Sequence, residues 1–296
     1  MNSRQPKPFL KWAGGKTQLL KSISSKFPYE KEDTFIYIEP FVGSGAVLFW
    51  VLNNYPNLKK AVINDVNTDL INTYKVITES VEEVIQLLKG WEKEYHSLSE
   101  KEEEKKVYYY SKRKLFNSRV SNVFIQAALF IFLNKTCFNG LYRVNKKNLF
   151  NVPIGSYKKP LICDDENLSL VSQSLKKVLI LDGDFEQTIS CVENQTCFYL
   201  DPPYKPLSET SSFNSYAKDI FDDKEQIRLK NFCDTLDSLN CQWILSNSDV
   251  KGNNHKDNFF DDLYEKFKID RVLAKRSINA NASKRGQLTE LLITNC

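Results

Sequence analysis

TFIYIEPFVGSGAVLFWVL, Thr34 to Leu52, is the stretch whose reading decides the fold. It reads as a strand, a glycine-containing turn and an apolar helix, with Phe41-Val42-Gly43-Ser44-Gly45 at the turn. Glycine has no Cβ, so a turn of this composition lets a ligand approach the backbone closely. About twenty residues on, AVINDVNTDL supplies a second short strand, Ala61 to Asn64, that ends in Asp65. A carboxylate there can accept two hydrogen bonds from a ribose diol. A lone GxG suits any βαβ unit, whereas strand–GxG–helix–strand–Asp at this spacing favours a nucleoside-containing cofactor.

Upstream lies PFLKWAGGKTQLL, Pro8 to Leu20, where Trp12 precedes a Gly14-Gly15-Lys16 turn and TQLLKSI starts a helix. Amides and a lysine at a helix N-terminus can hold an anion. The first glycine of GxxxxGK(S/T) is missing, so this is no P-loop. On its own the turn reads as a Gly-Gly loop capping a helix, and the tryptophan suits a planar ligand. Downstream, residues from about 67 to 135 are helical by periodicity, with the charge run Glu102 to Lys106 as a wet face. Cys137 to Pro160, CFNGLYRVNKKNLFNVPIGSYKKP, then has hairpin punctuation, with Arg143 and several lysines interleaved with aromatics. Such a hairpin can enter a DNA groove, or be a solvated lysine-rich loop.

The strand pattern resumes with Val178 to Leu181, which leads to Asp182-Gly183-Asp184-Phe185. Next comes FYLDPPY, Phe198 to Tyr204, a strand running into a carboxylate, two prolines and a tyrosine. Prolines donate no N–H and leave their carbonyls free. Asp201 and the Pro202 carbonyl can accept both protons of an exocyclic amine, and the Tyr204 ring can stack on the planar group that carries it. The tetrapeptide alone reads equally as a Pro-Pro turn. A fifth strand spans Cys241 to Ser246, and residues 268–273 and 288–294 supply two more. The chain divides into residues 1–66 and 176–296 as one α/β domain, with 67–175 inserted.

Composition narrows the class. The 296 residues are 42% hydrophobic and 26% charged, as in ordinary globular proteins. No run approaches a transmembrane span and the N-terminus is unlike a signal peptide, so the expected location is the cytoplasm. Seven cysteines without a CxxC pair argue against a disulfide framework and a zinc site. Two histidines, His96 and His255, make histidine-centred catalysis or metal binding improbable and are expected on the surface. A net charge of +4 permits a nucleic-acid partner without requiring one.

FLKWAGGK, EPFVGSG, NDVNTDL, FNGLYRVN with FNVPIG, GDF and DPPY occur in the order of the Dam-type, alpha-group DNA adenine-N6 methyltransferases. The chain resembles that family from Pro8 to about Asn295. PLSETSSFNSY and SKRGQLTELLITN are similar to its DpnM-type branch, the modification methylases of GATC restriction–modification systems. The resemblance implies a Rossmann-like methyltransferase fold, a mostly parallel sheet with an antiparallel last strand and an inserted recognition region. It implies S-adenosylmethionine as cofactor, held by Trp12, Gly14 and Lys16, by the turn Phe41, Gly43, Ser44 and Gly45, and by Asp65, Asp184, Phe185 and Asp201. Asp201, Pro202 and Tyr204 would take the target adenine. Arg143 matches the arginine that reads a guanine, Leu141 and Pro153 match thymine contacts, and Lys11 matches a lysine on the outer guanine. Asn139, Asn151, Tyr157 and Lys158 complete the recognition set. Ser156 departs from the arginine of many relatives.

The implied reaction is methyl transfer to adenine N6 in double-stranded GATC, by base flipping and direct in-line displacement, in a metal-free monomer held at the nucleoid by DNA. A partner endonuclease would share only the DNA site. Alternatives are the same chemistry on RNA or a protein glutamine, and a catalytically silent DNA-binding regulator. A dinucleotide oxidoreductase ranks below both, since GxGxxG is missing.

Overall fold

A computed structural model describes residues 4–12, 14–205, 221–275 and 287–296. The loops expected at 205–220 and 275–286, with PLSETSSFNSY and SKRG, lie almost wholly outside the described residues. Seven strands form one sheet: β1 Ile36–Glu39, β2 Lys60–Ile63, β3 Val178–Ile180, β4 Thr196–Leu200, β5 Gln242–Ser248, β6 Lys268–Lys275 and β7 Gln287–Thr294. Their order is β3-β2-β1-β4-β5-β7-β6. The first five are parallel, and β7 runs antiparallel to both β5 and β6. This is the mostly parallel methyltransferase-type sheet expected from the sequence. Strand order reverses between β1 and β4, so a crevice opens beyond their C-terminal ends, where α/β sheets bind ligands.

Successive strand residues face opposite sides of a sheet, and the core follows that period. Tyr37, Ala61, Ile63, Cys197, Tyr199 and Ile244 face one layer. Ile38, Val62, Phe198, Leu200, Trp243 and Leu245 face the other. The second layer is covered by α7 Asp223–Ser238 through Leu229, Phe232 and Leu236. The first is continuous with helices α2 Ala46–Asn54, α3 Thr68–Ser97, α4 Glu102–Ser118, α5 Val123–Thr136 and α6 Asp165–Leu175. Residues 67–175 therefore share a core with the sheet. Among the described residues, no helix is long and apolar enough to cross a membrane.

Two expectations need correction. The stretch 137–160 contains no strand ladder: two isolated antiparallel bridges, Cys137 with Ile154 and Val144 with Phe150, flank a 3-10 turn at Phe138–Gly140. Asn139, Gly140 and Asn148 adopt positive φ, and Pro153 cannot donate. The arms of an irregular hairpin still bond each other, Phe138 N–H to the Pro153 carbonyl, Asn145 N–H to the Leu149 carbonyl and Asn151 N–H to the Arg143 carbonyl, and side chains of helix α4 supply further main-chain bonds. Asn117 bonds the Phe150 amide and carbonyl, Tyr109 Oη and Arg113 reach the Val152 carbonyl, and Lys105 Nζ donates to the Tyr157 and Lys158 carbonyls, both at 2.7 Å. Lys105, expected on a wet face, is accordingly buried. His96 is half-buried and bonds the Pro160 carbonyl through Nε2, while His255 is exposed.

Candidate active site

The turn after β1 is built on two left-handed glycines, Gly43 (φ 49°) and Gly45 (φ 72°). Gly45 caps α2, and a Cβ there would lie 2.8 Å from the Tyr74 hydroxyl oxygen. A Cβ on Gly43 would meet the Trp12 ring at 3.0 Å, so glycine lets the tryptophan lie against the turn. Asp65, just past β2, accepts from the Gly43 amide at 3.1 Å and the Asn67 amide at 2.9 Å. Each carboxylate oxygen retains a lone pair for a further donor. Burial pushes the Asp65 carboxyl up to about 6, against the pull of those amides. Glu39, the last residue of β1, is buried, accepts from Tyr37 Oη at 2.7 Å, and is raised well above the usual carboxylate range by burial.

These groups line an open cavity of about 1590 Å³ with Trp12, Lys16, Phe41, Phe185, Phe221, Arg228 and Asp201. Pockets for a single small ligand hold about 300–1,000 Å³, so this one has room for a second group beside a cofactor. At one end Asp184 caps the turn after it by accepting from the Glu186 amide, and pairs with Arg228. Arg228 also binds Glu186 at 3.0 Å and Glu225 at 2.6 Å, with its guanidinium 4.3 Å over the Phe185 ring. Phe185 is buried against Phe41, centroids 5.3 Å apart. Asp184 is thus not free, and Arg228 is a lining residue that sequence reasoning missed. On paper its pairing with Glu225 is an ordinary helix-surface ion pair.

At the other end, Asp201 emerges from β4. Lys16, nearly buried, places its ammonium 2.9 Å from Asp201 Oδ1 and 4.6 Å from the Tyr204 ring centroid, and donates to the Gly14 carbonyl at 2.6 Å. Lys16, expected at the cofactor, is here turned to the carboxylate. Burial pushes Asp201 up to about 6; the Lys16 charge opposes this and the Glu290 charge adds to it. A second layer holds the loop. Gln226, buried on α7, donates to the Pro203 carbonyl at 3.1 Å and accepts from Asn247 at 3.0 Å. Ser248 Oγ donates to the Lys205 carbonyl at 2.8 Å. None of these anchors has a motif of its own.

Of the expected recognition residues, Arg143 reaches the cavity and the others lie on the stretch around it or on the N-terminal segment. Arg143 donates from Nε to Asn151 Oδ1 at 2.7 Å. Lys11 lies over the Tyr157 ring at 4.2 Å and packs against Gly140. Asn139, Pro153 and Lys158 are exposed, and Leu141 is half-buried against the core. Tyr142 stacks on Trp12 (5.8 Å, 15°) and bonds Asp69, which also pairs with Arg119. Asn134, buried at the end of α5, bonds Lys11 in both directions and the Gly140 carbonyl.

Residues 12–278 match the model of the D12 class N6 adenine-specific DNA methyltransferases. The type II methyltransferase M.MjaIII of Methanocaldococcus jannaschii is 49% identical over 98% of this chain and 99% of its own length. The type II methyltransferase M1.LlaDCHI of Lactococcus lactis is 38% identical, over 98% and 95%. The DNA adenine methylase of Escherichia coli is 30% identical, again over 98% and 95%. A nucleoside-type turn, an Asp-Pro-Pro-Tyr loop and a basic stretch around one cavity therefore have a common reading: the chain belongs to the D12 class N6 adenine-specific DNA methyltransferases.

Proposed function

We propose that this DNA adenine methyltransferase takes its methyl group from S-adenosylmethionine and delivers it to adenine N6 in double-stranded 5'-GATC-3', on a base flipped out of the duplex. The observation that carries the reading is the seat of Lys16. Its ammonium lies over the Tyr204 ring and forms an ion pair with Asp201, which is where a stacked adenine would put its amine. The residues fit the cofactor as well. Trp12, Phe41 and Phe185 offer aromatic faces, the glycine turn admits a close approach, and Asp65 keeps lone pairs for a ribose diol. Asp184 and Phe185 would flank the adenine of the cofactor, with Arg228 holding Asp184 in place.

S-adenosylmethionine supplies a methyl group on a sulfonium, ready for displacement. The chain's own part is positioning and electrostatics. The base must leave the stack to be reached. Tyr204 stacks on it, and Asp201 with the Pro202 carbonyl accepts from the amine, which keeps the nitrogen lone pair out of the ring and aims it. Lys16 must give up its place to the base. Arg143 reads a guanine, Leu141 and Pro153 touch thymine, and Lys11 approaches the outer guanine, while Asn139, Asn151, Tyr157 and Lys158 contact backbone or flanking bases.

Methyl transfer from labelled S-adenosylmethionine to a GATC duplex and to its scramble tests the reading. Label on N6-adenine in the first only is expected. Label on both would overturn the assignment of 137–160, and label on neither would overturn the activity and turn attention to RNA. Asp201→Ala should abolish turnover in a folded protein. Arg143→Ala should lose about 1–3 kcal/mol of discrimination at one base pair, measured with duplexes substituted one pair at a time.

A further inference from the structure

The tyrosine of the Asp-Pro-Pro-Tyr loop is held by a residue to which no role has been given so far, Glu290 of the SKRGQLTELLITN stretch. Tyr204 Oη donates to Glu290 Oε2 at 2.7 Å. Glu290 stands on β7, opposite Ser248 of β5 on one side and Val272 of β6 on the other. The remaining anchors of the loop, Gln226 and Ser248, grip backbone carbonyls. Glu290 alone among the described residues grips the tip of the side chain on which the base would stack. The phenol is raised well above its ordinary range, by burial first and then by the Asp201 and Glu290 charges, so its hydroxyl stays a donor at working pH.

We propose that Glu290 is a positioning residue for methyl transfer: by holding the phenol oxygen it fixes where the Tyr204 ring lies against the incoming base. A phenol tethered at its far end cannot swing about its Cβ, so the ring is held in one place for the incoming base, as it is for the Lys16 ammonium that rests there beforehand. The same contact has a readout in the titration of Asp201. Lys16 from the N-terminal loop favours its charged form and Glu290 from β7 disfavours it. Glu39 from β1 is itself raised well above the usual carboxylate range by burial, with the Asp201 charge adding to that. Tyr199 of β4 and Tyr204 itself stay neutral beside it, both raised well above the usual phenol range. Removing one negative neighbour must therefore move Asp201 toward ordinary acidity. The inference rests on the proposed role of Asp201 and Tyr204, and it adds a residue from the last strand to that pair.

The test compares the wild type with Glu290→Gln, Glu290→Ala, Tyr204→Phe and the double variant Glu290→Ala/Tyr204→Phe. Each is assayed for single-turnover methylation of the GATC duplex from pH 5 to 9, and for S-adenosylmethionine binding. Glu290→Ala is expected to slow the methyl-transfer step by about 10- to 100-fold, the scale of a misplacement of roughly 1 Å, with cofactor binding unchanged. Glu290→Gln keeps an acceptor for the phenol and should recover most of that loss, while the acid limb of its pH profile moves to lower pH. Tyr204→Phe removes the same hydrogen bond, so the double variant should be no slower than the slower single one.

Near-normal transfer by Glu290→Ala, multiplying effects in the double variant, or no recovery in Glu290→Gln would each overturn the proposal. If Glu290→Ala fails to fold, the Gln variant and Tyr204→Phe still decide it. Wild-type protein that methylates no adenine duplex would overturn the parent reading and this one together. Active wild type with an indifferent Glu290 would remove this one alone.

Discussion

Asp201 has to serve as an acceptor in surroundings that disfavour its charge. Its carboxyl is held up at about 6, mainly by burial, and Asp65 shares that value for the same reason. Both have ordinary values of 3.8. From there up to about 6, the native protein keeps protons that the unfolded chain has already lost. Stability from these two groups therefore falls as pH rises through that window and is flat above it. Activity runs the other way, because an ionised Asp201 is needed. We expect kcat/KM to rise toward a plateau above an inflection near the Asp201 value, with Tm falling over the same interval. In Asp201→Asn the Tm slope should shrink; a slope unchanged from wild type would refute the linkage. Asp201, Tyr204 and Asp65 were legible as candidates, since each lies in a recognisable turn just past a strand. The sequence hid Glu290 and Arg228, whose partners lie 86 and 44 residues away. It did not announce that Lys16 would pair with Asp201, because a lysine after two glycines looks like an anion site and its carboxylate comes from a distant strand end.

Elements meet at Asn134. One buried amide ties the end of α5 to the main chain at Lys11 and to the turn at Gly140. Asn134→Leu would leave the Lys11 amide and two carbonyls without partners, at a cost of about 1–3 kcal/mol for each group that stays buried and unpaired. Because Lys11 and the 137–160 stretch share this hinge, we expect a lower Tm together with weaker discrimination between GATC and near-cognate duplexes, while S-adenosylmethionine affinity changes little. Equal loss of cofactor affinity would refute that division of labour. The strands were legible from their period and the helices from theirs. The 137–160 stretch was legible as basic and turn-rich but not in its form. Its Asn-Gly and Pro punctuation promised a hairpin, and its arms do pair, but only at two antiparallel bridges. The rest of its main chain is held by Asn117, Tyr109, Arg113 and Lys105 of α4, and no local pattern announces a helix that braces a hairpin in this way.

At the scale of the molecule, the helices of 67–175 and one face of the sheet share a continuous core, from Tyr37 and Ile63 to Leu88, Phe132 and Val171. The division into catalytic domain and insertion is thus one of sequence more than of packing. Unfolding by heat or denaturant should be a single transition, with the fluorescence of Trp91 in α3 and Trp243 in β5 changing together. Two separated transitions would show the insertion to be an independent unit.

The order β5-β7-β6 has a consequence for synthesis on the ribosome. Strand β6 touches the sheet only through β7, which is made after it and slots between two older strands. Chains emerge at about 5–20 residues per second, so for several seconds a nascent chain carries Trp12, Lys16 and the Asp-Pro-Pro-Tyr loop but has no last strand. Glu290 arrives with that strand, and with it the tether of Tyr204. If that tether matters as proposed, a half-made enzyme cannot mark the chromosome, and competence to methylate begins only when the final strand is in place.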